Sequence, residues 1–100
     1  MEKKYTFYSD PGHGWIEVDI PELIRLGIFL DISSYSYVNG KKAYLEEDMD
    51  AGTFLNAKKE IDGYNYRDHG FIEIHQEVTP IRNYPSILTA QEQYKQECRA

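Results

Sequence analysis

Glu46, Glu47, Asp48 and Asp50 place four carboxylates within five residues, a local charge of -4 in a chain whose net charge is -6. Carboxylates packed this closely repel one another, so the arrangement needs a use. Three kinds of chemistry fit. Acids before and within a first helical turn are favoured by the helix dipole, and Asp48 or Asp50 suits an N-cap. The same acids can pair with arginine or lysine on a basic protein and imitate the spacing of nucleic-acid phosphates. They are also hard oxygen ligands for a divalent cation, although the run lacks the alternating ligands and distal Glu of an EF-hand loop. Tyr35, Tyr37 and Tyr44 lie beside them in sequence. Tyrosine combines a large apolar ring with a polar tip and is enriched at binding hot spots.

Asp10-Pro11-Gly12-His13-Gly14-Trp15 is the second candidate. His13 between two glycines is expected to be exposed, on backbone a ligand can approach closely. A nucleophile beside it would have to be Ser9, the sequence-local hydroxyl; Cys98, near the chain end, is a poor candidate. His13, His69 and His75 lack zinc-motif spacing. Ile81-Arg82-Asn83-Tyr84-Pro85 adds an Arg-Tyr pair of the same interface character.

These residues must be held by a small fold. Tyr5–Tyr8 and the alternating Trp15–Ile20 read as a hairpin, with Ile16, Val18 and Ile20 on one side and Trp15, Glu17 and Asp19 on the other. Pro21 opens a short helix over Glu22–Leu26 that Gly27 ends. Ser34–Val38 and Lys41–Glu46 form a second hairpin about Asn39-Gly40, a strong turn signal. Ala51–Ile61 is a helix ended by Gly63, with Phe54, Leu55, Lys58 and Ile61 along one side and Lys58 snorkelling past the core. Tyr64–Gly70 is turn-like. Phe71–His75 is a strand with Ile72 and Ile74 inward, and Ile81–Tyr84 an edge or loop between prolines. Thr89-Ala90-Gln91-Glu92 is a capping-box pattern that starts a polar helix reaching about Arg99. The expected fold is α+β: a mixed or antiparallel sheet of about five strands in β-β-α-β-β-α-β order, helices on one face, and a C-terminal helix. Residues 1–88 form one domain, with 89–100 a loosely attached helix, since Tyr94 and Cys98 are its whole apolar stripe.

Composition narrows the function. One hundred residues is one domain with a modest core. Basic residues are scattered, so direct nucleic-acid binding is not expected. Residues 1–50 hold five basic and ten acidic groups, and residues 51–100 hold six and seven, which puts the charged surface in the N-terminal half. One cysteine allows no internal disulfide and fits a reducing, cytoplasmic setting. The opening MEKKYTFYSD carries no apolar run of signal length, and nothing suggests a membrane span. No cofactor and no bound metal are expected; a homo-oligomer remains open.

Three runs, Ser9–Trp15 (SDPGHGW), Ile32–Tyr37 (ISSYSY) and Tyr44–Asp48 (YLEED) followed by Asp50-Ala51, resemble small proteins encoded by bacteriophages, plasmids and similar mobile elements. The likeness spans roughly residues 5–85. The family's acidic run resembles YLEEDCDA; Met49 stands where that cysteine would be, so no thiol role carries over. No established activity accompanies the resemblance, so it transfers no functional residue. It implies a setting, in which short accessory proteins inhibit host defence or regulation by direct binding. The combined reading is a non-enzymatic protein that sets Glu46, Glu47, Asp48 and Asp50, with Tyr35, Tyr37 and Tyr44 as anchors, against a basic, nucleic-acid-binding surface of a host protein, as an anti-defence inhibitor of the anti-CRISPR or anti-restriction type. The alternative is a small enzyme or divalent-metal-binding protein with a site near Asp10, His13 and the loop Glu46–Asp50.

Overall fold

The structure, a computed structural model, describes residues 4–99. Residues 1–3 and 100 lie outside the described residues, and with them the start of the MEKKYTFYSD run and the last residue of the expected C-terminal helix. Five strands form one mixed sheet: β1 (Tyr5–Ser9), β2 (Gly14–Asp19), β3 (Tyr37–Asn39), β4 (Lys42–Glu46) and β5 (Phe71–His75). Their spatial order is β3-β4-β2-β1-β5. Only the β1–β5 pair is parallel; the others are antiparallel. Helices α1 (Ile20–Arg25), α2 (Asp50–Asp62), α3 (Tyr66–His69) and α4 (Ile87–Arg99) complete the fold, with 3-10 turns at Phe29–Asp31 and Pro80–Asn83. The α+β class follows the sequence pattern, with α3 an added single turn inside the segment expected to be turn-like.

Strand alternation divides the interior in two. Tyr5, Ile16, Val18, Val38, Ala43 and Leu45 point to the helix side and meet Leu23 of α1, Phe54 of α2 and Ile87 of α4. Tyr5 fixes the centre, with Phe54 and Tyr64 edge-on to its ring at 5.1 and 5.6 Å. Its hydroxyl donates to Glu22 at 3.0 Å. Lys58 does pass the core: its ammonium reaches Glu22 at 2.5 Å and Asp62 at 2.7 Å, and Arg25 closes on Asp62 at 2.6 Å. Those charges tie α1 to α2 at the rim. Burial, then the Glu22 carboxylate, pushes the Tyr5 hydroxyl well above its ordinary range.

The opposite face is not solvated as the alternation of β2 suggested. Trp15, Tyr44 and Ile81 are buried there, with Tyr8, Tyr37 and Tyr84 packed around them. The segment 79–84 crosses this face and makes it a second, aromatic core. Trp15 is therefore an interior residue, 2 % exposed.

Local expectations shift at several points. The second hairpin turns about Gly40-Lys41, because Asn39 pairs with Lys42 and only Gly40 (φ 62) takes the positive φ the turn requires. Strand β3 is only three residues long, and Ser34–Ser36 form a turn before it. Ile72 and Ile74 are exposed, not inward: their neighbours on the parallel strand are Thr6 and Tyr8, on the thinly covered side of an edge strand. Helix α4 starts at Ile87, ahead of the expected capping box. Ser86 caps it, its Oγ accepting from the Leu88 amide at 3.2 Å. The first turns of α4 are held firmly, since Ile87 is buried and the Gln91 amide donates to the carbonyls of Phe29 and Ile32 at 2.8 Å each. Tyr94 then packs edge-on to Phe29 at 5.3 Å. The apolar stripe alone understates this attachment, because one buried polar side chain supplies much of it.

Candidate functional site

Antiparallel pairing sets Trp15 of β2 directly opposite Glu46 of β4, and Tyr37 of β3 opposite Tyr44. These residues therefore share the aromatic face. Around Trp15 opens a cleft of about 390 Å³, lined by His13, Tyr35, Tyr37, Glu46, Asp48, Met49 and Arg82. That volume lies at the lower end of the ~300–1,000 Å³ typical of small-ligand sites. Trp15 forms its floor, with the His13 ring 6.1 Å away and the Tyr37 ring 6.4 Å away. The Arg82 guanidinium lies 5.6 Å over the indole. Tyr35, 73 % exposed, stands at the rim.

The Asp10 turn builds one wall. Its carboxylate accepts from the amides of Gly12 and His13 at 2.9 Å each, and the Asp10 amide donates to the His13 carbonyl. Arg82 closes on the same carboxylate with two bonds, 2.6 Å from Nε and 2.9 Å from a terminal nitrogen. The Arg82 bonds, reinforced by the turn amides, hold the Asp10 carboxyl well below the usual carboxylate range. Asp10 is thus a positioning residue: it spends its oxygens on the turn and on Arg82, and does not enter the cleft. Gly14 begins β2 in tight quarters, since a Cβ there would lie 2.3 Å from the Phe7 ring and 3.0 Å from a Glu47 oxygen. The Glu47 amide donates to the Gly14 carbonyl at 3.0 Å, which fastens the acidic run to the glycine turn.

The acidic run itself divides. Asp50 is 1 % exposed and turned inward, accepting from the Ser33 amide (3.0 Å), the Ser33 hydroxyl (2.6 Å) and the Ser36 hydroxyl (2.5 Å). Ser36 in turn accepts from the Glu46 amide at 3.1 Å. Neither Asp48 nor Asp50 caps α2. Glu46 does so from a distance, accepting from the amides of Met49 at 2.7 Å, Asp48 at 3.0 Å and Asp50 at 3.3 Å. Only Glu47 and Asp48 are fully outward. The expected outward patch of four acids is therefore corrected to two exposed carboxylates beside a half-buried third, because the free amides ahead of α2 and the serine loop claim the others.

The tyrosines divide as well. Tyr44 is buried, and its hydroxyl donates to Glu17 at 2.9 Å; burial first, and that carboxylate second, raise its pKa. Tyr44 packs the aromatic core and offers a partner nothing. Tyr37 is half-buried in the cleft wall and Tyr35 is exposed. The two separate candidate regions, the His13 turn and the acidic loop, meet in one place. Sequence reasoning gave Arg82 only a minor part, although it joins Asp10 to Trp15. Ser33 and Ser36 lie in the ISSYSY run, yet nothing in their spacing announces that Asp50 will be buried against them.

The three histidines are dispersed. His13 is at the cleft, His69 stacks on Tyr64 at 4.7 Å, and His75 Nδ1 lies 3.0 Å from the Ser9 hydroxyl. Ser9 is therefore matched with His75 and not with His13, away from the cleft. Among the described residues no group of three or more His, Cys, Asp or Glu side chains is placed to hold a metal ion. No helix of the described residues is long and apolar enough to cross a membrane. Comparison with protein-family models, curated proteins and solved structures found no match to this chain.

Proposed function

We propose that this is a non-enzymatic binding protein that takes a cationic side chain of a basic partner protein into the Trp15 cleft. The carrying observation is convergence. Residues 13–15, 35–37 and 46–49 are far apart in the chain, yet they supply the floor, one wall and the acidic rim of a single cleft. The three runs that carry the likeness to mobile-element proteins are those same segments. The cleft's chemistry favours a cation. Arg82 is neutralised by Asp10, which leaves Glu46 and Asp48 as the uncompensated charges of the lining, with Glu47 adjacent. Aromatic faces add to the attraction by about 0.5–1 kcal/mol at an exposed site and more where water is excluded. A partner rich in arginine or lysine commonly binds nucleic acid through those residues. In the setting implied by the resemblance, occupation of such a surface would inhibit a host defence nuclease.

Trp15 is the sole tryptophan of the chain, so its fluorescence reports on the cleft directly. Short peptides bearing arginine or lysine should perturb that emission saturably, while matched glutamate peptides should not. The affinity should fall as salt rises, since exposed charges are screened beyond about 10 Å at 0.1 M. Glu47→Lys combined with Asp48→Lys should abolish the response. Tyr35→Ala should weaken it roughly tenfold, the scale of a rim aromatic worth about 1.4 kcal/mol. An emission change equal for basic and acidic peptides, or indifferent to both the double substitution and salt, refutes the proposal.

A further inference from the structure

The two edges of the sheet, β3 and β5, are treated in opposite ways. Strand β3 is three residues long and covered: the Val38 amide donates to the Pro85 carbonyl at 2.9 Å, and Tyr37 bridges to Ser86. Strand β5 is five residues long and pairs with β1 alone among the described residues. Edge strands are usually protected by lysine, proline or a bulge. Phe71-Ile72-Glu73-Ile74-His75 carries neither of those residues, and its parallel register runs unbroken. Ile72, Ile74 and nearby Val78 are 49 %, 38 % and 79 % exposed.

The backbone decides which groups face outward. The Gln76 amide donates to the Ser9 carbonyl at 2.9 Å, so position 76 points its peptide groups at β1. Alternation along an extended strand gives Ile72 and Ile74 the same direction and turns the amides and carbonyls of Phe71, Glu73 and His75 to the open edge. We infer that β5 pairs with β5 of a second copy of this chain, antiparallel about a two-fold axis, to make one continuous sheet across the dimer.

Self-complementarity selects the second copy as occupant. Outward backbone groups lie at odd positions, so a symmetric antiparallel register must pair odd with odd. In the register centred on Ile74, each Glu73 lies opposite His75 of the other copy, and the two Ile74 side chains meet at the close, non-hydrogen-bonded position. Ser9 occupies Nδ1 of His75, which leaves Nε2 for the opposing carboxylate. The register centred on Glu73 would set two like charges face to face, and the one centred on Ile72 would set Phe71 against Glu73. The register centred on Ile74 alone satisfies both the charges and the isoleucines.

Sedimentation velocity on the full chain, from micromolar to millimolar concentration, tests this. The expected result is a reversible dimer of twice the 11.7 kDa chain mass. Glu73→Lys and His75→Glu should each weaken self-association roughly tenfold or more, because two-fold symmetry counts each substitution twice. An equimolar mixture of the two variants should restore it. In the mixed dimer the lysine introduced by the first substitution faces the glutamate introduced by the second, and the unaltered His75 of one copy faces the unaltered Glu73 of the other. Both positions are exposed, and matching thermal unfolding would show the variants folded. A single-chain mass at every concentration overturns the inference and leaves the edge to a strand from another protein. A dimer indifferent to His75→Glu overturns it equally, because among registers centred within Phe71–His75 only the Ile74-centred one opposes His75 to an acid.

Discussion

The same strands make both faces of the sheet, but the two faces are closed differently. On the helix side, aliphatic residues and the Tyr5–Phe54–Tyr64 cluster meet three helices and exclude water. On the other side, Trp15 and Tyr44 are covered by the 79–84 crossing, which brings Ile81 onto them, and by a ring of tyrosines, and the cover stops short of residue 35. The first face is a core. The second is a core with one side left open, and the open side is where a rigid aromatic floor, an acidic rim and a buttressed arginine come together. A thin aromatic layer can do both jobs because tyrosine and tryptophan pack with a face and still present an edge or a polar tip.

If stability resides chiefly on the helix face, Phe54→Ala should be the most damaging substitution. Phe54 is fully buried against Tyr5. Its removal should cost about 3–5 kcal/mol by urea unfolding, from lost transfer energy plus the cavity left behind. A loss below about 1 kcal/mol would mean that the helix layer collapses around the gap, and would break the contrast between the faces.

The next test lies at the seam between them. Asp50→Asn keeps the shape of the buried carboxylate but cannot accept from the Ser33 amide and two serine hydroxyls without offering its own donor into the same group. The expected loss is about 2–3 kcal/mol. Asp48→Asn, just ahead of it and exposed, should change stability by no more than about 0.5 kcal/mol. Equal effects at the two positions would show that the acidic run behaves as one surface cluster after all.

That pair of positions also marks the limit of what could be read in the chain. Strand existence was legible wherever apolar alternation was clean, as in Ile16–Val18 and Ala43–Leu45, and Phe71–His75 was bounded correctly. The α2 helix was legible through Phe54 and Leu55 at helical spacing, although Ile61, read on the same side, is 57 % exposed. Orientation was less so. Ile72 and Ile74 have inward chemistry but an edge position, and edge position depends on the parallel β1–β5 pairing, a contact about 66 residues apart that no local pattern encodes. The site was legible in composition and not in division of labour. Tyr35 and Tyr44 are the same residue type nine positions apart, yet one is a rim group and the other a core group. Glu46 and Asp48 share a charge, yet one caps a helix and the other faces solvent. Burial separates them, and burial belongs to the fold as a whole.

The smallest expected effect is a change of slope with pH, and it compares a carboxylate on each face. Asp10 beside Arg82 on the aromatic side and Asp62 beside Arg25 and Lys58 on the helix side both titrate below the ordinary value of 3.8, each chiefly because an arginine hydrogen-bonds it. A carboxyl depressed in the folded state contributes stability that is present above its unfolded pKa and is lost as pH falls through the folded one. Unfolding midpoints should therefore hold through neutral pH and decline below about pH 4. Arg82→Met should lower the midpoint at neutral pH, because the Asp10 side chain is left enclosed without its cation. The gap from the parent should then narrow on acidification, because below the ordinary carboxylate range the unfolded chain takes up a proton at Asp10 that the folded parent, with the pair intact, does not. Asp62 is untouched by that substitution, so the variant should keep part of its acid limb. A gap that stays constant from pH 7 to pH 2 would mean that Arg82 holds the 79–84 crossing by packing on Trp15, and that the aromatic face is closed without help from charge.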